Sequence, residues 1–147
     1  MASKGPGPAD LLDVAFLPLS DGRQMIIPLS ALAEVQQVNF AGRSEGDLGD
    51  FTWRGYDLKI DTLDGRCGLA EPPAERLTTV GVFKADKDMD PPFHALAFCG
   101  TAAPGRIEHG WLNEVDLPVE GAFAGATRLH NELYLIPDLA KMFFSAG

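Results

Sequence analysis

Apolar and polar residues alternate in short stretches along this chain, and Gly, Pro and Asp clusters separate them at spacings typical of sandwiches and small barrels. Leu11 to Leu19 and Arg23 to Leu29 flank Ser20-Asp21-Gly22. Asp-Gly supplies the positive φ angles of a tight turn, so the two runs are predicted to form a hairpin. Ser30 is placed to cap a short helix reaching Gln36, with Leu32 and Val35 on its inward stripe and Glu34 outward. Asn39 to Asp50 is rich in Gly and charge, has no period, and reads as an exposed loop. Beyond it, Tyr56, Leu58 and Ile60 point one way and Asp57, Lys59 and Asp61 the other, the period of two of a strand with one wet face.

Asp64-Gly65, Gly68 and Pro72-Pro73 end a first half in turns and an extended linker. Thr78 to Lys84 opens the second half as a buried strand, Ala85 to Pro92 is a charged turn, and Phe93 to Cys99 completes a hairpin. Arg106 to Leu117 is a further strand that Pro118 stops. Ala124 to Leu129 and Glu132 to Ile136 pair around His130-Asn131, a turn suited to Asn because that residue tolerates positive φ. Pro137 fits a first helical turn, and Leu139, Met142 and Phe143 form an i, i+3, i+4 stripe, which predicts a docked closing helix. The class is mainly β, with residues 1–9 a flexible tail and 10–147 a single domain of two lobes.

A chain of 147 residues fits one domain of ordinary size. Its apolar content of 46% is far above that of a disordered chain, so it is expected to fold by itself. The formal charge of -9 repels phosphate backbones and anionic lipid surfaces, and the arginines are scattered singly, which argues against nucleic acid as a ligand. Cys67 and Cys99 show neither CxxC spacing nor a dense pattern, so a zinc site or a secreted disulfide scaffold is not indicated and a reduced cytoplasmic setting fits. The N-terminus, Met1 to Pro8, lacks an apolar h-region and nowhere do eighteen apolar residues run together, so neither export nor membrane insertion is expected.

Catalytic patterns are missing where they would be looked for. His94, His109 and His130 lack metal-ligand spacing, and Ser20, Ser30 and Ser44 lack the G-x-S-x-G elbow. No glycine-rich segment has a phosphate-cradling form. Asp86, Asp88 and Asp90 alternate as in a calcium loop but lack its glycine and distal Glu, so they read as a charged hairpin tip. Cys99 ends an apolar strand and reads as a small buried hydrophobe. No catalytic residue, metal or cofactor is expected. Arg54 stands apart, between Trp53 and Gly55 at a strand entrance, where glycine permits an unusual backbone and close approach of a partner. Its guanidinium suits bidentate pairing with a carboxylate, either on a partner helix or on one of the acids of this chain; both readings stand.

The stretch Phe51-Thr52-Trp53-Arg54-Gly55 to Leu63 resembles the Asn-Leu-Arg-Gly step and following strand of CheW-like domains, adaptors that tie bacterial chemoreceptors to a histidine kinase. Further support comes from Phe16 to Gly22 with Ile26 to Leu29 and Ala33-Glu34-Val35, from Thr78 to Phe83, and from Ala126 to Phe143, so the resemblance covers roughly residues 12 to 144. It implies two packed five-stranded SH3-like barrels sharing a core, with short helices and a groove for the cytoplasmic tip of a methyl-accepting chemoreceptor. By this resemblance Arg54, with Trp53 and Gly55, is the receptor-binding position, and Leu32 and Glu34 face a CheA-type histidine kinase. Leu32 and Trp53 are the expected apolar anchors. Thr52 and Trp53 replace the usual Asn and Leu, Lys59 replaces the strand proline, and Asp61 comes one place early, which marks a divergent paralogue serving flagellar chemotaxis or type IV pilus and surface motility. The rival class is a small-molecule-binding or enzymatic barrel with a pocket of Trp53, Phe98, His109 and Trp111, and a third is an oligomerising structural module.

Overall fold

The computed structural model describes residues 11–44, 47–85, 87–108, 113–114, 123–129 and 131–138. Its elements are β1 (Leu11–Pro18), β2 (Gln24–Pro28), β3 (Leu32–Gln37), β4 (Asp50–Trp53), β5 (Tyr56–Thr62), α1 (Leu63–Arg66), β6 (Thr79–Lys84), β7 (Phe93–Phe98), β8 (Ala103–Glu108), β9 (Asn113–Glu114), β10 (Phe123–Leu129) and β11 (Glu132–Pro137). They form a sheet of order β8-β1-β2-β11-β10-β9 and a second of order β3-β6-β7-β5-β4. The class is therefore mainly β with two lobes, as expected. The lobes are not consecutive halves of the chain, however. The second is built from the middle of the sequence and the first from both ends, because β5 runs parallel beside β7 and β11 parallel beside β2.

Local chemistry accounts for the turns. The β1–β2 hairpin closes where Gly22 adopts φ 94, with Leu19 N donating to Arg23 O at 2.8 Å. The Asp21 carboxylate accepts from the Arg23 backbone N at 3.0 Å, which rigidifies the tip. Asn131 takes φ 69 between β10 and β11, as its side chain allows.

One expected element is different. Only Leu29–Ala31 is helical, a single 3-10 turn entered from Pro28 without a side-chain cap, and Leu32–Gln37 is a strand. Pairing with β6, buried from Thr79 to Phe83, outweighs a weak local helix preference, and it sets Leu32 opposite Phe83 and Val35 opposite Gly81 across a bulge. Strand β8 begins at Ala103, three residues before the expected start, because it pairs with β1 from Phe16↔Ala103 to Leu11↔Glu108. Pro137, expected in the first turn of a closing helix, instead ends β11 in register with Phe123, because the β10 pairing carries the strand that far. The rest of that helix, the tail, His109, His130 and Trp111 lie outside the described residues.

Packing explains why the central strands read as nearly continuous apolar runs. Along β1, Val14 packs with Ile26, Ile107 and Leu129 inside the first lobe, while Ala15 and Leu17 face a different cluster. Along β7, Ala95 and Ala97 join Val80 and Val82 inside the second lobe, while Leu96 and Phe98 turn the other way. Ala15, Leu17, Met25 and Ile27 from one sheet and Phe83, Leu96 and Phe98 from the other thus meet in one shared core, completed by Leu63 and Cys67 of the α1 turn. Both faces of these strands are buried, so alternation of polarity is replaced by alternation of destination. Gly81 is required on the shared side, since an added Cβ would lie 2.9 Å from the Phe83 ring and 3.2 Å from that of Phe98.

A polar tie reinforces this apolar contact. The Asp64 carboxylate, buried in α1, accepts from both the backbone N and the Oγ of Ser20 in the β1–β2 turn, each at 2.9 Å. It links the lobes through a group that would be expensive to bury without partners.

Truncating the shared core should loosen both lobes together. Leu96→Ala is expected to cost about 3 kcal/mol and to leave a single unfolding transition, with far-UV and near-UV circular dichroism coincident in urea. Two separated transitions would show that the lobes do not share a core.

Candidate functional site

Strands β4 and β5 are joined by two residues only, with Trp53 paired to Tyr56. Arg54 and Gly55 therefore occupy the two central positions of the turn, at φ 49 and φ 83. Positive φ at both positions is the signature of a type I′ hairpin, whose twist matches that of the flanking strands. Glycine adopts it freely, whereas an arginine there is held in a sparsely populated region.

The period of two within β4 decides the rest. Asp50 and Thr52 are exposed, Phe51 is half-buried, and Trp53 is 6% exposed. Trp53 is thus part of the second lobe's core, with its ring 4.7 Å from Phe93 in edge contact, and Tyr56 lies 5.4 Å from the same Phe93 ring. The expectation that Trp53 is an exposed anchor is corrected by this burial. The same alternation was present in Phe51-Thr52-Trp53, where it marks the aromatic residues as inward.

Arg54 itself is exposed and makes no ion pair among the described residues. Its guanidinium carbon lies 4.6 Å from the centroid of the Trp53 ring, within cation–π range. Asp57, the acid nearest in sequence, accepts instead from Thr52 Oγ1 at 2.7 Å. Among the described residues, then, no carboxylate of this chain pairs with Arg54. The cation of this exposed residue thus lies over an aromatic ring.

Leu32 and Glu34 open β3, on either side of a bulge in its pairing with β6. Leu32 is half-buried against the shared core, and Glu34 Oε2 accepts from Gln36 Nε2 at 3.2 Å along the same strand face. Val35, expected on an inward helical stripe, is instead 38% exposed on β3, and Leu29, which the sequence did not single out, is 37% exposed. Their apolar surface, next to Glu34 in the chain, suits a protein contact better than a solvated helix face does.

Two other constellations bear on chemistry. Arg66 Nη2 lies 3.4 Å from Asp61 Oδ2 and 3.3 Å from His94 Nδ1, so His94 is tied into a polar group beside α1. Cys67 Sγ donates to Met25 Sδ at 3.6 Å inside the shared core. Burial pushes the Cys67 thiol up to about 12, with the Asp64 charge adding to the effect, and burial also raises Cys99. A thiol held so firmly protonated is not a nucleophile at neutral pH. Among the described residues, no group of three or more His, Cys, Asp or Glu could hold a metal ion. Trp53 and Phe98 belong to different cores, so they cannot line one ligand pocket as the rival class required. An apolar recess of about 320 Å³ does open beside the first lobe's core, between Leu12, Val14, Ile26, Ile107 and Ile136.

No protein-family model matches the sequence, and no curated protein matches it. Among solved structures, the fold is similar to that of the scaffolding protein TtCheW from Thermoanaerobacter tengcongensis, with a TM-score of 0.65 at 13% sequence identity. The superposition covers 92% of this chain and 94% of that one. The chain therefore has a CheW-like fold, reached by a strongly divergent sequence. No helix among the described residues is long and apolar enough to cross a membrane.

The cysteine environments are testable. The folded state holds the Cys67 proton above its ordinary 9.0, so the stability tied to it is complete below about pH 9 and is lost as pH rises towards 12. Urea midpoints should accordingly fall across that alkaline window more in the wild type than in Cys67→Ala, and at pH 8 a thiol reagent should modify Cys99 well before Cys67. Rapid native-state labelling of Cys67 would contradict the burial.

Proposed function

We propose, on the premise that this chain folds as CheW-like proteins do, that it is a non-catalytic adaptor coupling chemoreceptors to a CheA-type histidine kinase. The observation that carries this reading is the fold match along nearly the whole length of both chains. TtCheW is a scaffolding protein, and the same kind of role is assigned here. The site is cytoplasmic in this reading, because a chemoreceptor's tip lies there. The output is flagellar chemotaxis or type IV pilus and surface motility.

In this reading Arg54 and Gly55 meet the receptor tip, with Trp53 supporting them from below. What supports the assignment is an exposed guanidinium without a carboxylate partner among the described residues, on a protein that is otherwise strongly acidic. A planar cation displayed in this way can take a partner carboxylate through two parallel N–H donors. Leu32 and Glu34, with the exposed Val35, form the kinase-facing surface on β3. There the apolar side chains supply affinity, and the rim charges set orientation and association rate. No bond is made or broken in such a mechanism. Receptor and kinase are held in one geometry by two faces of a molecule whose lobes share a core.

The reading predicts separable faces. Arg54→Glu should lower affinity for the cognate receptor's cytoplasmic fragment at least roughly tenfold, the size expected for loss of a charge-assisted pair. Binding to the kinase regulatory domain should stay unchanged, as read by isothermal calorimetry. Equal loss of both interactions, or of neither, would contradict the assignment.

A further inference from the structure

The Arg54 turn holds a residue type its backbone does not favour. Both central positions have positive φ, at 49 and 83, and the residues that adopt this most readily at the first position are Asn, Asp and Gly. An Asn at position 54 would make the hairpin easier to form. A non-glycine residue kept in such a conformation points to a requirement other than stability. The side chain's surroundings indicate what that requirement is. The Trp53 ring lies beneath the guanidinium at 4.6 Å, and Trp53 is fixed in turn by Phe93 at 4.7 Å and by its burial in the second core. The nearest acid in sequence is occupied by Thr52 at 2.7 Å.

We propose that Trp53 is a positioning residue: it holds the Arg54 guanidinium flat and unpaired so that its outer edge is presented to a carboxylate on an acidic partner helix. This inference rests on the adaptor reading for the identity of the partner, but not for the positioning itself. A flexible arginine loses side-chain freedom when it binds, and a stacked one has lost much of it beforehand. A guanidinium laid face-on over a ring keeps its in-plane donors free for a carboxylate at its edge, which is the orientation proposed. A lysine would keep the charge but present neither a face to stack nor a fork to pair. The selectivity is thus for a carboxylate met edge-on, and the site combines positions 53 and 54 instead of relying on 54 alone.

Two measurements test this. In the free protein, the Arg54 Cδ protons should be shifted upfield by the indole ring current in NMR spectra, and Trp53→Leu should return them to ordinary positions. Unshifted protons in the wild type would overturn the positioning role whatever the partner proves to be. Calorimetry against the chemoreceptor cytoplasmic fragments encoded in the same genome then reads the consequence. Arg54→Asn should raise the melting temperature or leave it unchanged while weakening binding roughly tenfold or more, and Arg54→Lys should weaken it roughly tenfold. Trp53→Phe and Trp53→Leu both remove core volume and should both lower the melting temperature. Only Trp53→Leu removes the aromatic face, so it should weaken binding roughly threefold while Trp53→Phe stays within about twofold of wild type. Equal affinities for Arg54→Lys and wild type, or for the two Trp53 variants, would overturn the inference. Failure of the wild type to bind any such fragment would overturn the adaptor reading and, with it, the carboxylate partner, while the ring-current result would still decide the positioning.

Discussion

The shared apolar core between the two sheets is the constraint on which the rest of this structure depends. Strands β1, β2, β6 and β7 each send alternate side chains into their own lobe and into the common cluster of Leu17, Met25, Ile27, Phe83, Leu96 and Phe98. Neither sheet could leave the other without exposing several large side chains to water, at about 25 cal/mol for each Å² uncovered. The lobes are thus held in one relative orientation by the same residues that fold them. That rigidity is what the proposed adaptor role requires, because surfaces on different strands can fix the geometry of two partners only if the body between them does not bend.

Within this frame the β4–β5 hairpin is an outwork of the second lobe. Its turn lies at the opposite end of β5 from α1, which enters the shared core through Leu63 and Cys67. Packing on the inner face of β4 stabilises the second lobe through Trp53 and Phe51, while the turn itself carries an unfavourable backbone and an exposed cation over the Trp53 ring. Stability and presentation are divided between adjacent residues. The loop from Asn39 to Gly49 shows the same economy: Phe40 and Leu48 are buried in the second core, and Arg43 closes over them through the Leu48 carbonyl at 2.7 Å and the Phe40 ring.

Local rules made several of these elements legible. Asp21-Gly22 and Asn131 identify their turns through backbone preference alone, and the alternation in Tyr56 to Thr62 matches the buried and exposed positions of β5. Other features depend on partners distant in sequence. Leu32 to Gln37 is too short for periods of 3.6 and 2 to be told apart, and its strand state follows from the β6 edge it covers. The assembly of one lobe from both chain ends requires the parallel pairings of β2 with β11 and β5 with β7, which no local pattern encodes. Phe40 and Leu48 stand singly among glycines and charges, so a reading by period passes over them. At the candidate site, the sequence marked Arg54 but not its support: an aromatic residue beside an exposed arginine looks the same whether it faces solvent or core, until the period of β4 is counted.

The central claim is that one rigid body connects two partners, and reconstitution tests it most directly. Receptor-bearing vesicles, the CheA-type kinase and this protein can be sedimented together and the pelleted kinase measured. The account predicts that the kinase reaches the receptor-bearing pellet only when this protein is present and that its autophosphorylation then responds to receptor ligand. Kinase recruitment and control that are the same with and without this protein would contradict it.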